Sequence, residues 1–550
     1  MAPSVQCIDC GASTPYAPAG ESCPKCGSEW REVRYDYPAA FESLSASLRS
    51  RPFDLWRYRE LLPVRGPSPD LTLGEGGSPL LPAVNLGLML GVPKLFIKDE
   101  RQGPTASFKD RQAAVTISAL KEAGITEMVV ASTGNVAISY SAYAARAGVK
   151  LWAFVTSLVP AVKMREIALY GSQVVKVTGS YDLCKKVAVE FARQRGLYID
   201  RGARTLASIE AMKTIAFEIA EQLGRNDTPD GPRRWQAPDW YVQAISGGMG
   251  PLGVYKGFRE LQEAGLIARR PSLAAVQVEG CAPMVEAWRR GLDTAEPVLS
   301  PRTHVETLAT GDPGRAYTFL RALARDTGGT FESVSDEETF RAMHVLAKME
   351  GISAEPAAAA AFAGLFKLVR LGVIKSGDLV VVNCTGHTMP AEATVLGDRW
   401  SRDIKPQSLA DTPEEGLLAA LTEVAPARFP RVAIIEDSAD ARRLVRRILQ
   451  SQGDFTILEA ADGRQGLELI RRELPDLIIL DLMMPEVDGF AVLDALRESP
   501  ETAAIPVIVT TAKELTPAEK SRLGGQIQSL LQKGDFLNDE FLEEVKALIR

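Results

Sequence analysis

The feature that most limits what this chain can fold into is a series of short β-branched runs separated by longer helical segments, which stops and then starts again. From about residue 70 to 390 the runs KLFIKDE, EMVVAS, LWAFV, QVVKV, WYVQAIS, LAAVQV and DLVVVNC are apolar enough for strands buried on both faces. Helical patterns such as AAVTISALKEAG and AISYSAYAARAG lie between them. Parallel strands need crossovers of helical length, so the alternation predicts a parallel α/β sheet covered by helices. After Phe429 the alternation restarts with RVAIIED, ARRLVRRILQSQG, TILEA, RQGLELIRREL, DLIILDLMMP and IPVIVTTAK, which predicts a second, smaller doubly wound domain over residues 431–550. Between the two, residues 393–430 lose the strand pattern and gain Pro and charge in DIKPQSLADTPEEG and VAPARFP, as a linker with a short helix would.

Residues 1–35 belong to neither series. They are rich in Cys, Pro and Gly, and CIDC at Cys7 and Cys10 is followed, twelve residues on, by CPKC at Cys23 and Cys26. So short a segment cannot bury a core of its own. Four thiolates in two tight turns match tetrahedral zinc, whose binding free energy can fold such knuckles, and four protein ligands leave no open position for catalysis. A structural zinc ribbon is the expectation. The other three cysteines, Cys184, Cys281 and Cys384, are scattered in apolar contexts, a usage that favours metal over disulfides in a reducing compartment.

Composition removes several classes of function. A formal charge of -7 with 24% charged residues carries no basic footprint for nucleic acid. The longest apolar run, PAAAAAFAGLF, meets Lys367 before reaching the ~18 residues that span a bilayer. MAPSVQCIDC lacks a positive region followed by an apolar one, so a cytoplasmic protein is expected, with neither membrane nor nucleic acid as partner.

Within the large domain, PTASFKDRQ places Lys109 between Phe108 and Asp110 at the entrance to a helix. A surface lysine needs no such framing; one that must lose its proton and attack a carbonyl needs a fixed, desolvated position. Three further turns follow buried strands, where open α/β sheets build sites. ASTGNVAIS offers the hydroxyls and amides of Ser132, Thr133, Gly134 and Asn135 to an anion such as a carboxylate. ISGGMGPLG offers Gly247, Gly248 and Gly250, whose backbone can approach and cradle a phosphate. VVVNCTGHTMP puts Thr385 at the end of the most continuous apolar strand. Taken singly, each turn also has an ordinary reading as a helix cap, a strand-to-helix turn or a strand end.

Taken together, WRYRELLPV, LGEGGSPL, PTASFKDR, STGN, IEAMKTIAFEI, GVYKGF, EGISAEPAAAAA and TGH, spread from residue 56 to 387, resemble the pyridoxal-phosphate enzymes of the tryptophan synthase β-like fold, and among them the threonine synthases. The resemblance covers residues 36–392, and zinc-ribbon heads occur in some relatives. It implies that Lys109 holds pyridoxal 5'-phosphate covalently and serves as acid and base. By the same resemblance Phe108, Asn135, Gly247, Gly248, Met249, Gly250 and Thr385 bind the cofactor: Asn135 at its 3-hydroxyl, the glycine turn at its phosphate, Thr385 at its pyridine nitrogen. Ser132, Thr133 and Gly134 would clamp the substrate carboxylate, and a homodimer is expected. The implied reaction converts O-phosphohomoserine and water to threonine and phosphate.

This chain departs from the family at PTGSFKDR, which reads PTASFKDR, at Met249 in the glycine turn, and at TGHGLKDP, which reads TGHTMPAE. Where many threonine synthases place an arginine before the EGxKT motif, Ser208 stands before IEAMKT, and Arg201 or Arg204 in DRGAR could take its place. That departure leaves a related β- or γ-elimination or replacement open, of the cysteate synthase or dehydratase kind.

Residues 431–550 resemble the receiver domain of bacterial response regulators, a flavodoxin-like fold. Glu436 and Asp437 end its first strand, Asp481 ends the third in LIILDLMMPEVDG, Thr511 ends the fourth, and Lys533 follows in LLQKGDF. Carboxylates crowded at adjacent strand ends repel one another unless a hard cation such as Mg²⁺ binds. The resemblance implies Mg²⁺ on Asp437 and Asp481, Asp481 as phosphoacceptor, Lys533 as its charge partner, and a histidine kinase or phosphotransfer protein as donor. The aromatic residue usual three places before the lysine is Leu530, and the usual Pro after it is Gly534.

Overall fold

The computed structural model describes all residues except 1–2, 21, 67–70, 133, 157–158, 160, 225–233, 388–429, 453–454, 512–514, 533–544, 546 and 549–550. Thr133, Lys533, Gly534 and all but the last residue of the expected linker therefore lie outside the described residues. The chain divides into two compact units, one of Met1–Ala83, Lys94–Met343 and Ser353–Ala391, the other of Val84–Pro93, His344–Ile352 and Glu392–Arg550.

In the first unit the cysteine-rich head is a three-stranded antiparallel sheet in the order Ser13–Pro15, Ser4–Cys7, Arg31–Arg34. Val5 and Val33 face each other across it and bury themselves with Leu206, the first residue of the helix Leu206–Leu223. The head thus borrows from the large domain the core it is too short to build.

The seven apolar runs are all strands, but they form two sheets rather than one. Six strands run in the order Thr330–Val334, Ser272–Val278, Trp240–Ala244, Val380–Cys384, Leu95–Asp99, Leu80–Pro82, parallel except for the last. The four strands that fall between Leu95–Asp99 and Trp240–Ala244 in sequence, namely Glu127–Ser132, Lys150–Thr156, Gln173–Val177 and Tyr198–Ile199, pair in parallel with one another. Trp240–Ala244 and Val380–Cys384 are buried at every position, as central strands of a sheet covered on both faces should be. Gln173–Val177 corrects the sequence reading: it is an edge strand whose Gln173 and Lys176 are exposed.

Local signals set the helix ends. In Tyr181–Arg195 the Ser180 hydroxyl accepts from the Leu183 amide, Asp182 lies in the first turn, Arg193 and Arg195 lie in the last, and Gly196 closes at φ 62°. The helices Leu206–Leu223 and Met249–Glu263 approach closely because of GVYKGF. A Cβ on Gly257 would stand 2.5 Å from the Lys213 carbonyl, so alanine there would push the helices apart. The same pair is cross-linked by a buried quartet in which Lys213 and Lys256 each pair with both Glu210 and Glu260, at 2.5–3.0 Å.

The second unit contains a five-stranded parallel sheet in the order Thr456–Ala460, Arg431–Ile435, Leu477–Asp481, Val507–Thr511, Ser529–Gln532. The chain moves outward to one side of Arg431–Ile435 and then to the other, so a crevice opens at the carboxyl ends of Arg431–Ile435 and Leu477–Asp481. Among the described residues no helix is long and apolar enough to cross a membrane.

Candidate active site

The segment carrying Lys109 is tied down on both sides. The Phe108 amide donates to the Thr385 carbonyl at 3.0 Å, Ser107 bridges Gly386, and the His387 amide donates to the Ala106 carbonyl at 3.0 Å. The end of the strand Val380–Cys384 and the start of the helix Lys109–Glu122 are thereby held as one piece. The residues after the lysine complete the anchorage. Asp110 accepts from the Thr105 amide at 2.9 Å and from its hydroxyl at 2.5 Å. Arg111, fully buried, donates to Glu100 and Glu218 at 2.6–2.8 Å, and Glu218 also takes Lys98 at 2.6 Å. In KDR, then, Asp110 closes the loop and Arg111 roots the helix.

Lys109 itself is half-buried, its Nζ 4.4 Å from the centre of the Phe108 ring. Burial pushes its amine down from 10.5 to about 8, partly opposed by the carboxylates of Asp200 and Glu355. The shift makes the neutral amine that a nucleophilic or proton-transferring lysine needs far more available near pH 7 than in a solvated lysine.

Lys109 opens into a cavity of about 440 Å³ that is also lined by Phe108, Asn135, Thr385 and the turn from Gly247 to Gly250. The turn is the entrance to the helix Met249–Glu263, whose first-turn amides have no partner within the helix. Gly248 has φ 82°, and a Cβ there would strike Leu320 at 2.7 Å; a Cβ on Gly247 would meet only Thr310, at 3.9 Å. A bare backbone at a helix N-terminus, facing a cavity, fits a phosphate group. Thr385 is buried at the strand end and lines the same space.

Asn135 begins the helix Asn135–Ala147 and is held from two sides: its Nδ2 donates to Glu355 at 2.7 Å and its Oδ1 accepts from Lys163 Nζ at 2.8 Å. Lys163 and Glu355 are themselves 3.6 Å apart. Ser132 is buried, its hydroxyl accepting from the amides of Gly134 and Ala137, each at 3.0 Å, so it organises the turn from inside. Ser132 and Gly134 are not among the lining residues of the cavity.

DRGAR supplies further lining of the cavity. Asp200 lines the cavity and accepts from Tyr140 at 2.5 Å, Ser208 at 2.9 Å and the Gly202 amide at 2.7 Å. Ser208 is fully buried, is not among the lining residues and donates to Asp200, which it orients. Arg201, Arg204 and Arg315 also line the wall. Of these groups, Glu355, Lys163 and Asp200 were not singled out in the sequence. Glu355 lies within EGISAEPAAAAA and Asp200 within DRGAR, so their motifs were visible while their roles were not; PAVKMREI gave no signal for Lys163.

Two further clusters match their expected ligand sets. The thiols of Cys7, Cys10, Cys23 and Cys26 lie together, with Cys7–Cys26 and Cys10–Cys23 Sγ separations of 3.6 Å. Tetrahedral zinc with ~2.3 Å bonds needs sulfurs about 3.8 Å apart. Each knuckle is closed by a glycine amide, Gly11 to the Cys7 carbonyl at 3.0 Å and Gly27 to the Cys23 carbonyl at 2.8 Å. The Cys10 amide leads the contacts that bring the Cys7 thiol down to about 6, as suits a thiolate ligand. In the second unit the carboxylates of Glu436, Asp437 and Asp481 converge, Glu436 and Asp481 buried and Asp437 exposed. Thr511 is buried at the end of the adjacent strand, whose Thr510 is paired with Asp481.

Residues 71–386 match the model of the pyridoxal-phosphate dependent enzyme family, and residues 432–545 that of the response regulator receiver domain. A threonine synthase of Methanocaldococcus jannaschii is 34% identical over 384 residues, covering 70% of this chain and 91% of that protein. A threonine synthase of Methanosarcina acetivorans is 34% identical over 398 residues, covering 71% and 93%. Among solved structures, the holo diaminopropionate ammonia lyase of Escherichia coli shares the fold at a TM-score of 0.50 and 16% identity, covering 60% of this chain and 89% of that one.

Proposed function

This chain belongs to the pyridoxal-phosphate dependent enzyme family and carries a response regulator receiver domain, and on that premise we propose that it converts O-phosphohomoserine and water to threonine and inorganic phosphate. That it is a pyridoxal-phosphate-dependent lyase of the threonine synthase kind follows from the family and its relatives. The observation that carries the finer reading is the convergence of Lys109, Asn135, the Gly247–Gly250 turn and Thr385 on one cavity that three arginines also line.

In that cavity the amides of Gly247 to Gly250 would hold the cofactor phosphate, Asn135 its 3-hydroxyl and Thr385 its ring nitrogen, with Phe108 against it. Bound there, pyridoxal phosphate supplies an electron sink for carbons next to the substrate amino group. Lys109 Nζ, kept weakly basic by burial, takes the proton from the substrate α-carbon and returns it. The arginines that line the cavity receive the departing phosphate.

The test is phosphate release from O-phosphohomoserine by the full-length protein, with ammonia measured in parallel. Phosphate release that disappears in Lys109→Ala, together with the visible absorption of the bound cofactor, is the expected result. Ammonia release without phosphate would overturn it in favour of a dehydratase, and phosphate release from a different phosphoamino acid in favour of a cysteate synthase-like replacement.

The receiver reading is part of the same proposal. Asp481 accepts a phosphoryl group from a histidine kinase or phosphotransfer protein, Asp437 and Asp481 would hold Mg²⁺, which would supply positive charge there, Glu436 and Thr511 flank the site and Lys533 is its charge partner. Phosphorylation then adjusts the lyase by favouring one of its conformations. A small-molecule donor such as acetyl phosphate should label wild type only with Mg²⁺ and leave Asp481→Asn unlabelled; equal kinetics with and without labelling would eliminate the coupling. Zinc in the ribbon, a homodimer and a cytoplasmic location complete the reading.

A further inference from the structure

The cations of the cavity wall are held by the ribbon. Arg201 and Arg204 both pair with Glu29, three residues after Cys26. Arg315 makes a two-pronged pair with Asp9, between Cys7 and Cys10, at 2.8 and 2.7 Å. Asp9 is in turn fixed by the Ser28 hydroxyl at 2.7 Å. Trp30, next to Glu29, lines the cavity; it packs on Phe319 at 4.9 Å and lies 5.8 Å from the Arg315 guanidinium. The ribbon is therefore a piece of the cavity wall, and two of its acids occupy the guanidiniums of three arginines that line the cavity.

A doubly charged phosphate ester needs cations beyond Lys109 and the neutral glycine turn. Ser208 offers none. Lys185, also on the wall, is paired with Asp182 at 2.6 Å. The three arginines are what remains among the described cationic lining residues, and each already carries a carboxylate. These pairs are part-exposed, with side chains 21–46% accessible, so their partners exchange at little cost. Guanidinium binds phosphate and carboxylate alike through two parallel, charge-assisted bonds, and a dianionic phosphate brings the larger charge to the exchange.

We propose that Glu29 and Asp9 are specificity-setting positioning residues: they hold Arg201, Arg204 and Arg315 as resident counter-ions that a dianionic phosphate ester displaces and an unphosphorylated amino acid does not. This rests on the proposed reaction and adds to it the device by which phosphorylated substrates are chosen. The exchange makes and breaks only ion pairs, the carboxylate leaving the guanidinium as the phosphate arrives.

Inorganic phosphate, titrated calorimetrically into the full-length holoenzyme, tests this without turnover, because the cofactor already fills the glycine turn. Removing the competing carboxylate in Glu29→Gln should tighten phosphate binding by roughly two- to tenfold. The double variant Arg201→Gln/Arg204→Gln should weaken it by about tenfold or more. Asp9→Asn should tighten it through Arg315. Loss of ribbon docking alone would weaken binding, so the opposite sign separates the proposed role from a purely structural one. Unchanged or weaker binding in both acid variants, or wild-type binding in the double arginine variant, would overturn the proposal. Failure to turn over O-phosphohomoserine would instead sink the proposed reaction and leave the phosphate titration unaffected.

Discussion

Asn135 and Glu355, 220 positions apart in sequence, are joined by a 2.7 Å hydrogen bond at the edge of the cavity, with Lys163 closing the group at 2.8 Å from the Asn135 oxygen. The Asn135 amide therefore stands in a fixed orientation. Glu355→Gln keeps an acceptor for Asn135, whereas Glu355→Ala leaves the amide and the buried Lys163 cation without it. Glu355→Ala should cost about 1–3 kcal/mol of stability and Glu355→Gln distinctly less, measured by denaturant unfolding; equal losses would show that the bond holds nothing.

Ala106 has φ 57°, a conformation that a side chain makes costly, at the position where the family's PTGSFKDR has glycine. The strain sits three residues before Lys109, in the segment pinned to Thr385 and His387. Ala106→Gly should relieve about 1–2 kcal/mol of left-handed strain against ~0.5–1 kcal/mol of added chain entropy, for a small net gain in stability. Ala106→Val, β-branched, should destabilise by more than Ala106→Gly stabilises. Thermal unfolding of the three proteins gives the ordering, and a less stable glycine variant would refute the account.

The strands and the turns that follow them were legible because both are local. DLVVVNC reads as a buried strand from its own β-branched residues, and ISGGMGPLG announces a bare turn from its glycines. Leu80–Pro82 and Tyr198–Ile199 were not legible, being three and two residues long with no periodicity to display. Nor was Thr330–Val334, whose sequence TFESV interleaves polar residues. The division into two sheets escaped for a different reason: periodicity identifies strands, while pairing is decided by contacts between distant segments. Glu355 and Asp200 belong to that second kind, meaningful only once the fold sets them beside Lys109.

The ribbon is small, and the core of its described residues is shared with Leu206. With zinc bound as proposed, its folding free energy would come largely from the metal. Full-length protein should carry one equivalent of zinc per chain, and Cys10→Ser or a strong chelator should remove it. Because Trp30 packs on Phe319 only while the ribbon is folded, the loss should appear as a change in tryptophan fluorescence with the sheets of the large domain intact. Full metal content in Cys10→Ser would contradict the four-thiolate assignment.

The depressed basicity of Lys109 has a consequence for stability that can be read without any substrate. In the unfolded chain the amine titrates near its ordinary value of 10.5; in the folded, cofactor-free protein burial brings it to about 8. Below pH 8 the folded protein therefore holds a charged amine in a poorly solvated place, and that cost is fully present. Between pH 8 and 10.5 the unfolded state binds more protons than the folded one, so this group's contribution to stability rises with pH; above 10.5 both states are neutral and the cost is gone. Lys109→Met should accordingly raise the melting temperature of the cofactor-free protein at pH 7 by a few degrees, with the advantage shrinking as pH climbs through that window. Asp200 and Glu355 oppose the depression, so Glu355→Gln should move the window to lower pH, seen as an earlier onset of Lys109 labelling by an amine-reactive reagent. An advantage for Lys109→Met that grew with pH, or a labelling midpoint near 10.5, would mean that the amine is solvated and that nothing in the cavity prepares it to react.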